Sequence, residues 1–417
     1  MVKHVYTSVD IGSDSIKVVV CELYKGKLNL LAATSVKSNG IKKGLITDFE
    51  QAAGSLKKAI QEIEAMLKIR IKRVIASVPA YFSEYSVVKQ SVDIKNPEGL
   101  VTGEDIICSL QESVQGNVGA GKEVVTILPI DFCVDEQARV KDPKGLFGKV
   151  LNSRAVLVTT PKKNIYSVVS LLDHAGLEVV DISLNPIGDI YAFKTKEMDS
   201  QVGTVINIGA ETTTVSLYNR GILVKCSIIG VGSKNIDSDL SYMFKISSSN
   251  AKTIKEKFAL AHKKYASMNE TYEVVNDVGD KIELNQLEVS EVVMSRLEEI
   301  LSLANNEMKS LTDHEIDYTI ITGGITNMAH FGYAAEDILG TQVVVGNVRL
   351  VGLRNNKYSV WIGNIVYFIN KLKLKGKNYS MISESDGEAM IDTKKGIMNT
   401  VSEDSTLGKL FNYFFSE

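Results

Sequence analysis

Asp10, Gly12, Ser13, Asp14, Ser15 and Lys17 fall in one short stretch near the start of the chain. Glycine lets a backbone approach a ligand closely, and successive turn N–H groups form an anion-binding concavity. The serine hydroxyls add donors, Lys17 adds positive charge, and Asp10 is a residue type that holds a hydrated metal ion. The combination suits phosphate with its cation. Two strands must present it. Val5–Val9 runs apolar into Asp-Ile-Gly, and Ile16–Cys21 resumes the apolar run after the turn. On its own the pattern also reads as an ordinary Asp-Gly hairpin turn.

A second copy strengthens the phosphate reading. Thr204–Leu217 repeats the layout of strand, X-Ile-Gly, hydroxyl-rich turn and strand, nearly half of the 417-residue chain away. Asn207 stands where the first copy has Asp10, followed by Gly209, Thr212 and Thr213. Two similar half-molecules, each offering a hairpin to a shared cleft, are therefore expected. A third element, Tyr318–Ile325, is an apolar strand ending in Thr322-Gly323-Gly324, where small residues let a nucleoside lie against the backbone.

Composition narrows the alternatives. The formal charge is −3, from 47 basic and 50 acidic residues, which argues against a nucleic-acid binder. The chain is 44% hydrophobic and long enough for two to four domains. Cys21, Cys108, Cys133 and Cys226 lack metal-binding spacing and sit in or beside apolar segments, so buried thiols in a reducing compartment are expected. The chain opens Met-Val-Lys-His and enters a strand, so no signal peptide is expected, and no apolar run reaches the ~18 residues of a membrane span.

Periodicity supplies the scaffold. A three-strand meander over 4–36 precedes a helix from Phe49 to Leu67 with an apolar stripe and Asp48 as N-cap. Residues 83–160 change character to strands around a Thr102-capped helix, with separate strands expected at Val124–Asp131 and Phe132–Asp135. A second meander spans 202–229, and Leu287–Leu311 is a long amphipathic helix. Residues 375–403 lack apolar periodicity and read as a flexible linker. Beyond it, Leu407, Leu410, Phe411 and Phe414 form a helical stripe, joined by Phe415 and the single cation Lys409. So short a helix needs a surface to bury that stripe. A membrane, the chain's own domain or a partner groove would each serve. Each buried Leu or Phe contributes roughly 1.5–3 kcal/mol against ~1 kcal/mol for a lysine near lipid, so membrane anchoring would be mainly hydrophobic.

Taken in order, the hairpin at Asp10–Lys17, the connection at Ser183–Asp189, the hairpin at Asn207, the Thr-Gly-Gly loop, the connection near Trp361–Asn364 and the amphipathic tail resemble the actin, Hsp70 and sugar-kinase superfamily. Within it, the chain resembles the FtsA family of bacterial cell-division proteins over nearly its whole length. The resemblance implies an α/β, actin-like two-lobed fold with an FtsA-type inserted subdomain. Lobe 1 would take 1–83 and 161–187, with the insert at 84–160. Lobe 2 would take 188–230 and 312–374, with its own subdomain at 231–311. Residues 375–403 would link to a membrane-targeting tail at 404–417.

The resemblance also implies function. ATP and Mg2+ would lie between the lobes, with Asp10 orienting the metal through water. Lys255 would lie beside the nucleoside. Arg296 would receive the acidic C-terminal peptide of FtsZ, and 84–160 would serve filament assembly and other divisome proteins. The expected role is a polymerising adaptor that tethers the FtsZ ring to the cytoplasmic side of the membrane at the division site. One departure stands out. The family's second hairpin is Asp-X-Gly-Gly-Gly, whereas this chain has Asn207, Ala210 and Glu211. Lost charge at Asn207, with carboxylates at Glu211 and Asp14 near phosphate, predicts weak nucleotide binding or very slow hydrolysis. A PilM-like pilus-assembly ATPase, a nucleotide-independent adaptor and a sugar kinase are the rival readings. The kinase would need an aspartate base and a sugar pocket, and the sequence offers neither.

Overall fold

The computed structural model describes residues 4–348, 350 and 355–383. The tail residues Leu407, Lys409, Leu410, Phe411, Phe414 and Phe415 lie outside them.

The first lobe is built on β1 (His4–Ile11), β2 (Ser15–Tyr24), β3 (Lys27–Lys37), a small hairpin of β4 (Ile41–Lys42) and β5 (Leu45–Ile46), α1 (Phe49–Leu67) and β6 (Arg73–Val78). Helix α1 starts where Asp48 accepts from the Gln51 N–H at 3.1 Å and buries Ala52, Ala53, Leu56, Ile60 and Ile63 on one stripe. The insert follows: β7 (Glu84–Asp93), α2 (Gly103–Glu112), β8 (Lys122–Val134) and β9 (Val150–Pro161), in sheet order β7-β9-β8. Thr102 and Asp105 cap α2 reciprocally. The two strands expected over 124–135 are one, because β8 absorbs its irregularities as register shifts along β9 rather than breaking. The chain returns through α3 (Lys162–His174) and β10 (Glu178–Leu184).

After α4 (Asn185–Phe193), the second lobe contains β11 (Val202–Ile208), β12 (Thr213–Asn219), β13 (Ile222–Ile229), α5 (Ser233–Phe244), α6 (Ser248–Lys257), β14 (Thr271–Val275), β15 (Lys281–Asn285), α7 (Gln286–Leu311), β16 (Tyr318–Thr322), α8 (Phe331–Leu339) and β17 (Val343–Val345), and α9 (Ser359–Leu374) returns to the first lobe, where Trp361, Ile365 and Phe368 pack with Tyr6, Val19 and Ile75 of its sheet. The lobe sheets run β10-β6-β1-β2-β3 and β17-β16-β11-β12-β13. In both, an antiparallel meander adjoins strands that run parallel to its first member. The sequence repeat is thus a repeat of topology.

The connection expected over Ser183–Asp189 is the end of β10 and the start of α4. Pro186 occupies the first helical turn, where its missing N–H costs nothing. Gly188 lies where α9 crosses. A methyl group added at Gly363 would overlap the Gly188 carbonyl oxygen, so the two backbones touch.

The expected linker begins later than Lys375. Met381 is buried, its N–H donates to the Val5 carbonyl at 2.9 Å, and the Val5 N–H donates to Ser380 Oγ at 3.2 Å. Tyr379 meets Phe368 edge-on. Backbone pairing with β1 holds this polar stretch where its composition gives no sign of order. Among the cysteines only Cys21 is buried; Cys108, Cys133 and Cys226 are half-buried, which corrects the expectation of four buried thiols. These three lie at strand edges or on a helix flank, where an apolar neighbourhood in sequence is not enclosure.

Candidate functional site

The hairpin turns β1–β2 and β11–β12 face each other across a cavity of about 970 Å3. Asp10, Gly12, Ser13, Asp14, Ser15, Lys17, Asn207, Gly209, Thr212, Lys255, Gly323 and Gly324 all line it. Thr213 does not. It is fully buried and donates to the Val231 carbonyl at 2.9 Å. Side chains alternate along β12, so Thr212 and Thr214 face the cavity and Thr213 faces away. The turns are tight: a side chain at Gly12 would meet the Ser15 carbonyl at 2.9 Å, and one at Gly209 the Thr212 carbonyl at 3.0 Å. Gly323 has φ +108 and lies against the Ile208 carbonyl, so glycine is required there by backbone packing as well as by access.

Lys17 Nζ sits 3.4 Å from Asp10 Oδ2 and 4.8 Å above the Trp361 ring. Lys255 is 5% exposed; its Nζ is 2.7 Å from Asp237 Oδ1 and donates to the Ser233 carbonyl at 3.1 Å. Ser77 Oγ and Asn185 Oδ1 are buried without a hydrogen-bond partner, and both residues line the cavity.

The two carboxylates expected to repel phosphate are already paired: Asp14 with a lysine of the opposite lobe, Glu211 with a lysine of its own lobe and a backbone N–H of the other. Asp14 Oδ1 pairs with Lys252 Nζ of α6 at 2.9 Å. Glu211 Oε1 pairs with Lys234 Nζ of α5 at 2.8 Å, and its Oε2 accepts from the Lys43 N–H, in the β4–β5 turn of lobe 1, at 2.6 Å. Lys234 also donates to the Ser13 carbonyl at 3.1 Å. Partial burial pushes the Asp14 carboxyl up, but Lys252, Lys234 and Lys17 outweigh this and hold it below its ordinary value. Glu211 is held down in the same way by Lys234 and the Lys43 N–H, against its own desolvation.

Behind Asn207 lies a carboxylate that the sequence reading left without a role. Asp189 is 2% exposed; it accepts from Asn207 Nδ2 at 2.7 Å and from Ser359 Oγ at 2.9 Å. Burial pushes its carboxyl up to about 7; the two donors oppose this and the nearby Asp10 charge adds to it. The folded state therefore holds this proton more tightly than the unfolded chain. Stability should fall as pH rises from about 4 to about 7, by on the order of a few kcal/mol, and Asp189→Asn should flatten that part of the curve. Urea melts of both proteins from pH 4.5 to 8 test this; parallel curves would count against it.

Arg296 lies on α7, outside the cleft. Its Nε and Nη2 hold Asp239 at 2.6 and 2.8 Å, and Nη1 reaches Glu299. The guanidinium is thus already paired within the chain. Sequence reasoning missed Lys234, Lys252, Ser77, Asn185 and Asp189 as members of the site; the sequence carried no signal for the lysine–carboxylate pairs. Among the described residues no cluster of His, Cys, Asp and Glu could hold a metal by itself, and no helix is long and apolar enough to cross a membrane.

Comparison with known proteins agrees with this architecture. The family model described as cell division protein FtsA matches residues 204–363, from β11 to the helix crossing. The model described as the SHS2 domain inserted in FtsA matches 83–159, the three-stranded insert. The cell division protein FtsA of Bacillus subtilis is 27% identical over 375 residues, covering 89% of this chain and 85% of the relative. That of Staphylococcus epidermidis is 26% identical over 419 residues, covering 99% and 88%. Among solved structures, the PilM-PilN type IV pilus biogenesis complex aligns with a TM-score of 0.60 at 14% identity, covering 87% of this chain and 98% of the other. MreB5 of Spiroplasma citri bound to ADP aligns at 0.55 and 13% identity, covering 89% and 98%. The structural likenesses establish the actin-like fold. With two family models that together span more than half of the sequence, and FtsA relatives matching along most of its length, the chain belongs to the FtsA family of cell-division proteins.

Proposed function

We propose that this chain is an actin-like, ATP-binding adaptor that polymerises and tethers the FtsZ ring to the cytoplasmic side of the membrane during cell division, with at most weak ATPase activity. The observation that carries the nucleotide part is the pair of glycine turns facing each other across one cavity. The residues present fit Mg-ATP. Asp10 supplies a carboxylate for a hydrated cation, while the turn N–H groups and the hydroxyls of Ser13, Ser15 and Thr212 suit phosphate. The unpartnered Ser77 Oγ and Asn185 Oδ1 offer polar atoms at the cavity wall. Gly323, Gly324 and Lys255 would border the nucleoside. When bound, Mg2+ neutralises phosphate charge; binding would set how the lobes close.

Self-assembly has support from exposed apolar side chains. Tyr242 and Met243 end α5, and Val278 tips the adjoining β14–β15 turn, where the Asp277 N–H donates to the Lys245 carbonyl at 2.8 Å. Val87 and Phe147 are exposed on the insert, which is proposed to meet filament neighbours and divisome partners. An acidic FtsZ peptide docking at Arg296 would exchange with Asp239 rather than meet a free guanidinium. A nucleotide-independent adaptor is the second reading, and the ion pairs of Asp14 and Glu211 favour it, since they engage Lys252 and Lys234 without phosphate.

Sedimentation with liposomes tests the adaptor role. Because Ser380 and Met381 pair with β1, the informative truncation ends at Ser383. Full-length protein should pellet with vesicles and the chain ending at Ser383 should not. Mg-ATP should raise the pelleted fraction by assembling many weak tails on one polymer. Equal supernatants for both forms would remove the membrane role and leave the tail as a protein-docking peptide.

A further inference from the structure

The two hairpins are related by the internal repeat, yet their acceptor groups differ. In β1 the residue two before the glycine is Asp10; in β11 it is Asn207. Asn207 lines the cavity and Asp189, behind it, does not. The Asn207 amide has one donor end and one acceptor end. Its Nδ2 is committed to Asp189 Oδ2 at 2.7 Å, which leaves Oδ1 for the cavity. The other Asp189 oxygen accepts from Ser359 Oγ at 2.9 Å, and Ser359 accepts from Thr322 Oγ1 at 3.2 Å. One buried carboxylate therefore ties together the hairpin strand β11, the crossing helices α4 and α9, and the end of β16 that leads into Gly323.

We infer that Asp189 is a positioning residue: it locks the Asn207 amide with its carbonyl oxygen toward the cleft. The fixed Asn207 oxygen faces Asp10 across the space for a hydrated divalent cation that accompanies a nucleoside triphosphate. The inference rests on the nucleotide-binding reading above and deepens it. Asn207 carries no charge, yet the second hairpin keeps an oriented acceptor for the cation's water shell, and Ser359 ties Asp189 to the helix crossing.

The arrangement predicts a specific pattern in Mg2+ dependence. A fluorescent ATP analogue is titrated into the full chain with Mg2+ and with EDTA, for wild type, Asp189→Asn, Asn207→Asp and the exchanged double variant Asn207→Asp/Asp189→Asn. Asp189→Asn should lower the Mg2+-supported affinity roughly 10-fold, the usual effect of losing an outer-shell partner, while leaving the affinity in EDTA unchanged. Asn207→Asp alone sets two carboxylates in contact and should lower the melting temperature. The exchanged pair restores one carboxylate and one amide donor, so it should recover both the melting temperature and the Mg2+ dependence. A purely structural Asp189 would change both affinities together or neither, and would overturn the inference. So would an exchanged variant that melts like wild type yet lacks Mg2+ dependence. If Asp189→Asn does not fold, the exchanged variant alone decides. If wild type binds no analogue under either condition, the nucleotide reading fails and takes this inference with it; wild-type binding with an unaltered Asp189→Asn sinks the inference alone.

Discussion

Replacing Asp14 by Asn and Glu211 by Gln together should tighten Mg-ATP binding roughly 10- to 100-fold. Each carboxylate holds a lysine of lobe 2 that faces the cavity, Lys252 and Lys234. Both pairs are partly solvated, so each is worth only about 0–1 kcal/mol to stability, and losing them should barely move a melting curve. Their effect on a triphosphate is larger. Two unit charges a few ångströms from phosphate, at an effective dielectric near 20 or above, each cost about 1–2 kcal/mol, and their removal also frees two cations. The pH dependence runs in the matching direction. Asp14 and Glu211 are held below their ordinary values, so both ion pairs are complete at neutral pH and lost as pH falls below about 4. Titration of a fluorescent nucleotide at fixed Mg2+ and low salt measures the change, with Lys234→Ala/Lys252→Ala as the opposing control. Unchanged or weaker binding in the carboxylate double variant would mean that these side chains do not compete with phosphate, and would favour the nucleotide-independent adaptor.

Gly363→Ala should destabilise the protein by about 3 kcal/mol or more and reduce nucleotide affinity. The added methyl would overlap the Gly188 carbonyl oxygen and crowd the Ala192 N–H at 2.9 Å; these are backbone atoms of a helix and cannot rotate away. Overpacking a well-filled core usually costs 1–3 kcal/mol, and a clash with fixed backbone belongs at or beyond that upper end. Relief requires α4 and α9 to move apart. Helix α9 packs on the first lobe's sheet, and Asp189 of α4 and Ser359 of α9 hold the cleft network, so the hairpins should lose alignment together. Gly54→Ala in α1 is the control. Nothing lies within 4 Å of a methyl there, and a solvent-facing helical glycine gains about 0.5–1 kcal/mol on becoming alanine. Chemical denaturation of the two variants should shift in opposite directions. A Gly363→Ala protein with wild-type stability would show that the crossing has slack.

The elements legible in the sequence were those fixed by local rules. Helix α1 follows from a capping aspartate and an apolar stripe, α2 from its capping box, and the two meanders from alternation closed by Lys-Gly and Arg-Gly turns. The repeated X-Ile-Gly turns announced two lobes because the glycine and the strand before it are needed wherever the motif occurs. The connection at Ser183–Asp189 carried no sign of helix α4, whose close crossing with α9 at Gly188 and Gly363 joins segments far apart in the chain. The chain after α9 was read as linker because its order comes from β1, far away in sequence.

The order of the elements and the composition of the two phosphate turns are legible in the chain because backbone geometry and hydrophobic period act over a few residues; the actin-like fold class came from the family resemblance. Only the tertiary structure decided what the charged groups do. Asp14 became a cross-lobe partner of Lys252, Glu211 a partner of Lys234 in its own lobe and of the Lys43 N–H across the cleft, Arg296 an internal partner of Asp239, and Asp189 the buried acceptor behind Asn207. Coulombic attraction and desolvation depend on distance and enclosure, and those are set only when segments far apart in the chain are brought together.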